Sequence, residues 1–572
     1  MDLNSEVSPV GTRTAQLTST TNLYDDDNYI PGTINIFHRD VGAGMEQTDL
    51  KIMNGIILNP QPSDSPNDPL NWSPLAKYWQ LLMLGFITGF TAATSNDAGA
   101  GQDSLNEIYG ISYDAMNTGA GVLFCGIGYA TFFTAPITSL YGRRIIYFVC
   151  IVSGLIGAAW YGASKRTSDT IWSQLFVGIS ESCAEAQVQL GLSDVFFQHQ
   201  LGSVLTVYIM ATSVGTYLGP LIAGFIADNV GFRWIGWTTV IISGGLLIVM
   251  YFTLFETYFD RNAYMRQTLT GTAMAKTTTP VKKIDEKEAE EEQNNSSDNR
   301  NEVSEPIEPS SASQETVSYR KRIAMITPSS NLIGWGVKQY FQRMFGMLRV
   351  FWFPPVVLSG MIWGIQDALL TFYLTTEDDD YYDDPWNYSD AGVALMNVPC
   401  LIGAIIGCLY AGVFSDWFVI WMAKRNGGVQ EAEYRLYFLF ASAIIGPCGL
   451  LMFGIGTSKG YDWHMTYVGL GFIGFGWGCS GDIAMSYLMD AYPDMVLEGM
   501  VGVAVINNTL GMIFTFACSP WLDNVGTQNT YIAWAVIEFV ISMMAAPMIY
   551  WGKDCRRWTK KWYLKFLELR DD

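Results

Sequence analysis

The sequence predicts an all-α polytopic membrane protein, twelve transmembrane helices arranged as two six-helix bundles. Three observations predict it. The chain is 49% hydrophobic and only 15% charged, with 56 Gly and 19 Trp in 572 residues. Apolar runs near 20 residues, enough to cross a ~30 Å hydrocarbon core, recur through its whole length. They fall into two sets of six around one long hydrophilic stretch.

Taken in order, residues 1–74 form a Ser/Thr/Asp-rich tail, too poor in apolar side chains to bury a core and expected to be mostly disordered. The tail ends in DPLNWSPLAKYW, where Asp68, Pro69, Asn71 and Trp72 lead into the first span and Trp72 and Trp79 suit the headgroup level. The N-terminal bundle, 75–256, holds spans near 75–97, 115–138, 145–163, 170–195, 203–226 and 235–256. A central loop, 257–349, contains KEAEEEQNNSSDNRNEVSEPIEPSSASQ, a charged and Ser-rich solvated linker without periodicity. Its last part, Leu332 to Arg349, has aromatic and basic residues at the spacing of an amphipathic surface helix. The C-terminal bundle, 350–551, holds spans near 352–375, 390–414, 434–456, 464–486, 499–520 and 530–551, and a tail follows at 552–572.

An even number of spans leaves both termini on one side. Arg143, Arg144, Lys424, Arg425, Lys553, Arg556, Arg557, Lys560 and Lys561 share that side; Lys165, Arg166, Arg233 and Lys459 stand opposite. The basic side is expected to be cytoplasmic. No cleavable leader is expected, because the first ~70 residues are polar. The net charge of −21 collects in the tail, the central loop and one short external loop. Without a basic stripe, the chain is no nucleic-acid binder. The nine cysteines sit mostly inside apolar runs without metal spacing and read as packing residues. No nucleophile–base pair, phosphate-cradling loop or metal cluster points to an enzyme, a cofactor or a metal.

The span from Ile171 to Phe197, IWSQLFVGISESCAEAQVQLGLSDVFF, carries Glu181 and Glu185 near its middle. Glu181 lies ~15 Å along the helix from Ile171, about half of a ~30 Å core. Ionised carboxylates at that depth cost at least ~2.5–3.5 kcal/mol each, so they must face a bundle interior or aqueous cavity. Gln174, Gly178, Glu181 and Glu185 form one polar stripe. Pairing with buried cations is the alternative, but the predicted spans hold almost no Lys or Arg away from their ends. The stripe therefore favours a cationic ligand: protons, an amine, or both. The external loop EDDDYYDDPWNYSD, with Glu377, Asp378, Asp379, Asp380, Asp383, Asp384 and Asp390, is either a solvated loop or an acidic mouth that steers cations inward. LSDVFFQHQLGSV after span 4 echoes LMDAYPDMVLEGMV after span 10 at Asp194/Asp490 and Gly202/Gly499, with one inserted residue, as two parallel repeats would.

APITSLYGRR between spans 2 and 3, GTYLGPLIAG in span 5 and the box around Asp68, Asn71 and Trp72 resemble the major facilitator superfamily, in particular the fungal drug:proton antiporter-1 group. The strings SNDAGAGQDSLNEIYGISYDAMNTGAGVLF, VGISESCAEAQVQL and GWGCSGDIAMSYLMDAYPDMVLEGM resemble that group's polyamine/histidinol permeases of the yeast plasma membrane. The likeness covers about 60 to 570, the central loop excepted. It implies gating and helix-packing roles for Gly142, Arg143 and Arg144, and for Gly215, Gly219, Pro220 and Gly224. It departs from the group at Ser139, where an acid is usual, at Leu140, where a base is usual, and at Gln174 and Ala223, where arginine and glycine are usual. Losing a cation about two turns from Glu181 favours a polycation pocket.

The resemblance further implies that spans 1, 4, 7 and 10 line a central cavity. Each carries acid: Asp97; Glu181 and Glu185; Asp367; Asp482. A ladder of carboxylates with Trp363, Phe372, Tyr373 and Trp477 as aromatic walls would suit spermidine, spermine or putrescine, pairing the ammonium groups and packing the methylenes. Asn507 and Asn508 serve either helix packing or ligand contact. The expectation is a monomeric, multi-pass plasma-membrane transporter that imports polyamines and related amines such as histidinol. Protons couple through Glu181 and Asp367, and membrane lipid surrounds the chain. The alternatives are a drug:proton antiporter that exports amines, and a nutrient receptor that does not transport.

Overall fold

The computed structural model describes residues 29–35, 51–53, 56–261, 264, 317–381 and 384–571. The first 28 residues, 265–316 of the central loop, and Asp383 lie outside the described residues, as do the side chains of Asp378, Asp379 and Asp390. The first half consists of Pro74–Asn96, Tyr113–Tyr141, Arg144–Gly162, Thr167–Glu185 continued by Gln187–Val195, Gln198–Val230 and Arg233–Thr253. The second half consists of Pro354–Asp380, Asp390–Leu395 running on to Ser415–Arg425, Leu439–Lys459, Trp463–Ala491, Val496–Val525, and Thr527–Met543 continued by Ala545–Asp571. These are spans 1 to 12. Among the described residues nine helices are long and apolar enough to cross a membrane. Spans 1, 4 and 10 fall outside that set although their main helices have 23, 19 and 29 residues. What they lack is hydropathy, as helices facing a polar interior must.

The halves meet where span 2 packs on span 11 and span 5 on span 8. Small residues set close approaches both within and between the halves. Gly215 and Gly219 bring span 5 against the backbone of Gly89 and Ala93 in span 1, where any Cβ would overlap a carbonyl. Span 8 carries a π-turn at Tyr410–Phe414. It seats Gly412 directly on Thr206 of the other half, and such turns often mark functional positions.

Several boundaries differ from the sequence reading. Span 7 runs five residues past the expected 375 to Asp380, because TFYLTTEDDD contains no helix breaker before Pro385. The expected tail at 552–572 is helical to Asp571, continuing the helix that begins at Ala545. Its apolar face buries Tyr563 and Leu564 and sets Trp562 and Phe566 against Phe353. The amphipathic segment before span 7 is a helix at Val337–Met347, where Arg343 donates to Ser139 Oγ at 2.9 Å.

The described parts of the N-terminal tail are held by the rest of the chain. Asp68 takes a bidentate pairing from Arg261 at 3.0–3.2 Å. Farther out, Ile34–Asn35 pairs antiparallel with Val429–Gln430 between spans 8 and 9. Gly32 (φ +75°) lies against the backbone of Asp490 and Ala491, a fit only glycine makes. Arg556 closes this contact, donating to Pro31 O, to Glu431 at 2.8 Å and to Glu433 at 2.6 Å. Burial would raise the Glu431 carboxyl, but Lys553 and Arg556 outweigh it and hold it below the ordinary range. The tail has too few apolar residues for a core of its own, and it borrows one.

Candidate functional site

A cavity of about 910 Å³ opens between the halves on the face opposite the termini. Ser95 and Asn96 of span 1, Gln174 of span 4, Thr371 of span 7 and Thr515 of span 11 belong to its wall. Glu181 lies about two turns below Gln174, and Asp367 about one turn below Thr371.

At that depth the two halves present carboxylates to each other. Glu181 and Glu185 come from span 4, whose helix breaks directly after them at Ala186 (φ −138°, ψ −41°). Asp367 comes from span 7 and accepts from Asn507 Nδ2 of span 11 at 3.2 Å. Asn508 Nδ2 in turn donates to Asn507 Oδ1 at 2.6 Å, which orients that amide. Glu185 is in electrostatic reach of Asp367, Glu181 and the Asn507 amide, and Asp367 of Glu181. Glu181 is within reach of the Ser95 hydroxyl in the cavity wall. Glu185 Oε2 has no hydrogen-bond donor. All three acids keep some accessible surface while Cys183, Ala184, Ala186, Gln366 and Ala368 around them are buried. Among the described residues no lysine or arginine acts on the trio.

The other expected site residues are placed differently. Asp97 ends span 1 and accepts from Thr239 of span 6 at 3.3 Å, inside the first half and away from the trio. Asp482 is fully buried closer to the terminal face, accepting from Thr206 of the other half at 2.8 Å and from Ser486 at 3.0 Å. It belongs to the contact that closes the far side. Tyr373 points within the second half toward Asn397 Oδ1, at 3.4 Å. Phe372 packs against Trp521 and Trp534 and is not part of this cavity's wall. Trp363 and Trp477 do come together, ring centroids 4.7 Å apart, and Tyr217 of the first half meets Trp477 at 6.0 Å.

Three residues escaped the sequence reading. Tyr217 gave no signal, being one aromatic among many. Glu377 was hidden in the acidic run that looked like a loop; it is helical, 2% exposed, and part of the cavity wall. Glu538, a lone acid in AWAVIEFVISMM, was visible and overlooked. It is 2% exposed, accepts from Gln366 at 2.9 Å, and sits in a gap left by Gly446 and Gly476.

At the terminal face each half carries its own paired charges. Arg143 Nε meets Asp194 Oδ2 at 3.0 Å, and in the second half Arg435 pairs with Asp490 and, at 2.8 Å, with Asp416. The weak sequence echo at Asp194/Asp490 is thus one aspartate–arginine pair built twice. Arg143 and Arg144 also give their backbone N–H groups to Glu256, each at 3.0 Å, beside Gly142 (φ +98°). The buried Arg144 side chain donates to the backbone of Ile323 and Tyr251, tying down the central loop's end. Ser203 of the first half donates to Asp416 of the second at 2.9 Å, across a seam where Gly202 touches the same carboxylate. Pro220 and Gly224 line the open cavity, with Gly224 against Ala394. One arrangement therefore carries an open face, acids at mid-depth and a closed face.

Comparison with known proteins accords with this architecture. The family described as Major Facilitator Superfamily matches residues 81–516. The chain is 60% identical to Protein HOL1 of Saccharomyces cerevisiae, covering 96% of this chain and 98% of that one. It is 50% identical to an uncharacterized MFS-type transporter of Schizosaccharomyces pombe, covering 96% of each. Among solved structures it resembles the proton:xylose symporter XylE, with TM-score 0.56 and 12% identity over 84% of this chain and 96% of that one, a likeness of fold.

Proposed function

Because the chain belongs to the Major Facilitator Superfamily and is a multi-pass membrane transporter rather than an enzyme, we propose that its cargo is a small organic polycation of the polyamine class, imported at the plasma membrane with both termini cytoplasmic. One observation carries this reading: Glu181, Glu185 and Asp367 face one another from opposite halves, a turn or two deeper than the cavity-wall residues Gln174 and Thr371, with no lysine or arginine among the described residues in reach. Uncompensated carboxylates at mid-membrane are expensive and persist where they have a ligand. Ammonium groups supply the missing charge, and the Trp363–Trp477–Tyr217 cluster gives methylenes and cations an aromatic neighbour.

Transport follows by alternating access. The cargo enters from the open face, bridges acids of both halves, and leaves when the hydrogen bonds across the seam, Ser203 to Asp416 and Thr206 to Asp482, separate. Proton coupling is part of the same proposal. A carboxylate that has released its ammonium can be neutralised by a proton, and Glu181 and Asp367, one from each half, are placed to make that exchange. The transporter works as a monomer, since each chain contains both halves of the site. Radiolabelled spermidine uptake into cells expressing or lacking the protein tests the cargo. Equal uptake in both would refute it. Proteoliposomes with voltage clamped by potassium and valinomycin test the coupling, and flux that ignores an imposed pH step would remove the proton.

A further inference from the structure

Asp367 and Glu377 stand on one helix, ten residues and therefore about 15 Å apart along its axis and roughly 80° apart around it. Glu377 is 2% exposed and lines the cavity. Helical side chains lean toward the helix N-terminus at both positions, so the carboxyls stay about 15–17 Å apart, or about 9–11 Å between two bound ammonium nitrogens once a contact of about 2.8 Å is taken off each end. Tyr373 lies within hydrogen-bonding reach of Glu377. Tyr217, from the opposite half, is in electrostatic reach of both Asp367 and Glu377. Both phenols are buried, so they stand behind the cavity wall rather than in it.

This spacing has a counterpart in the cargo. In an extended, staggered chain each bond advances about 1.25 Å, so the terminal nitrogens stand about 6 Å apart in putrescine, 11 Å in spermidine and 16 Å in spermine. We propose that Glu377 is the outer end contact of a length-selective site, so that tri- and tetraamines reach from Asp367 to Glu377 while a diamine is held by the deep acids alone. The inference rests on the polyamine reading and adds to it a residue that sets preference. The middle of the longer chains passes Leu370, Thr371 and Leu374, which line the cavity on the same helix between the two acids.

The test is uptake kinetics of putrescine, spermidine and spermine in cells carrying wild type, Glu377→Gln or Glu377→Asp, normalised to surface protein. Glu377→Gln is expected to raise KM for spermidine and spermine about 5- to 50-fold, the loss of one charge-assisted contact, and to leave putrescine within about twofold. Glu377→Asp keeps the charge and is expected to recover most of the preference. An equal loss for all three amines, or no change in any, overturns the length-selective role and leaves the polyamine reading standing. Absence of any amine uptake by the wild type overturns that reading and this inference with it.

Discussion

Gly202→Ala should open the closed face. The Cβ it adds would fall inside the Asp416 carboxylate, which is already fixed by Arg435 at 2.8 Å and by Ser203 across the seam at 2.9 Å. The carboxylate has nowhere to retreat without giving up one of these partners. Overpacking of this kind costs about 1–3 kcal/mol. The cost applies only while the halves are closed on this face, so it becomes a population shift of about 5- to 150-fold toward the state open there. A Met485→Cys reporter reads it, because Met485 is 1% exposed beneath the seam, with Gln189 of the other half 3.9 Å from its sulfur. Labelling by a membrane-impermeant maleimide in inside-out vesicles should accelerate by that factor. The repeat provides the control. Gly499 holds the matching position, but a Cβ there meets Leu488 at 3.4 Å, an ordinary contact, and Gly499→Ala should leave labelling unchanged. Unaltered labelling in Gly202→Ala, or equal acceleration in both, would refute the argument.

Glu181→Gln, Glu185→Gln and Asp367→Asn should each cut spermidine uptake at least about tenfold at normal surface level, since an amide is cheaper to bury but cannot pair an ammonium; undiminished flux in all three would end the proposed role of the trio. Glu538→Gln should retain uptake and melting temperature, because its single donor, Gln366, can bond an amide oxygen equally well, whereas Glu538→Ala should lower stability by about 2–4 kcal/mol in a detergent melt through cavity formation and a stranded amide. Arg556→Ala, which leaves Glu431 and Glu433 buried without their main cation, should cost about 3–5 kcal/mol. The Glu431 carboxyl is held low in the folded state, so its contribution is complete above its ordinary value near 4.5 and fades as pH falls through the folded value; a melt whose loss on acidification is the same in Glu431→Gln as in wild type would contradict this.

The fold was legible because its signals are long-range in sequence: twelve apolar runs, one hydrophilic divider and a basic bias on one face. The site was legible only where an acid interrupts an apolar run, as at Glu181, Glu185 and Asp367. Acids of identical composition diverge through tertiary neighbours that a linear reading does not show. Asp97 is taken by Thr239 and Asp482 by Thr206. Span numbering alone assigned both to the cavity, yet a helix that lines a cavity lines it with one face. Glu377 failed in the opposite sense. Its neighbours in sequence are acids, so it read as solvent-exposed, while one further helical turn carried it inside.

The two populations of buried acid explain how the same chain can close on either side. At the terminal face Asp194, Asp416 and Asp490 each have an arginine within their own half. They are satisfied before the halves meet, and the seam needs only hydrogen bonds such as Ser203 to Asp416 and Thr206 to Asp482. Such bonds contribute about 0.5–1.5 kcal/mol each, or up to about 3 where a charge is involved, which is strong enough to hold a face shut and weak enough to break in each cycle. At mid-depth the opposite holds. Glu181 and Glu185 of one half face Asp367 of the other with no lysine or arginine among the described residues acting on them, and drawing the halves together there brings like charges closer as water leaves. Empty and ionised, the site resists occlusion; with an ammonium or a proton between the acids, the same approach becomes favourable. On the proposed reading a leak without cargo is penalised by the charge pattern itself, and a cationic substrate supplies the term that closes the open face.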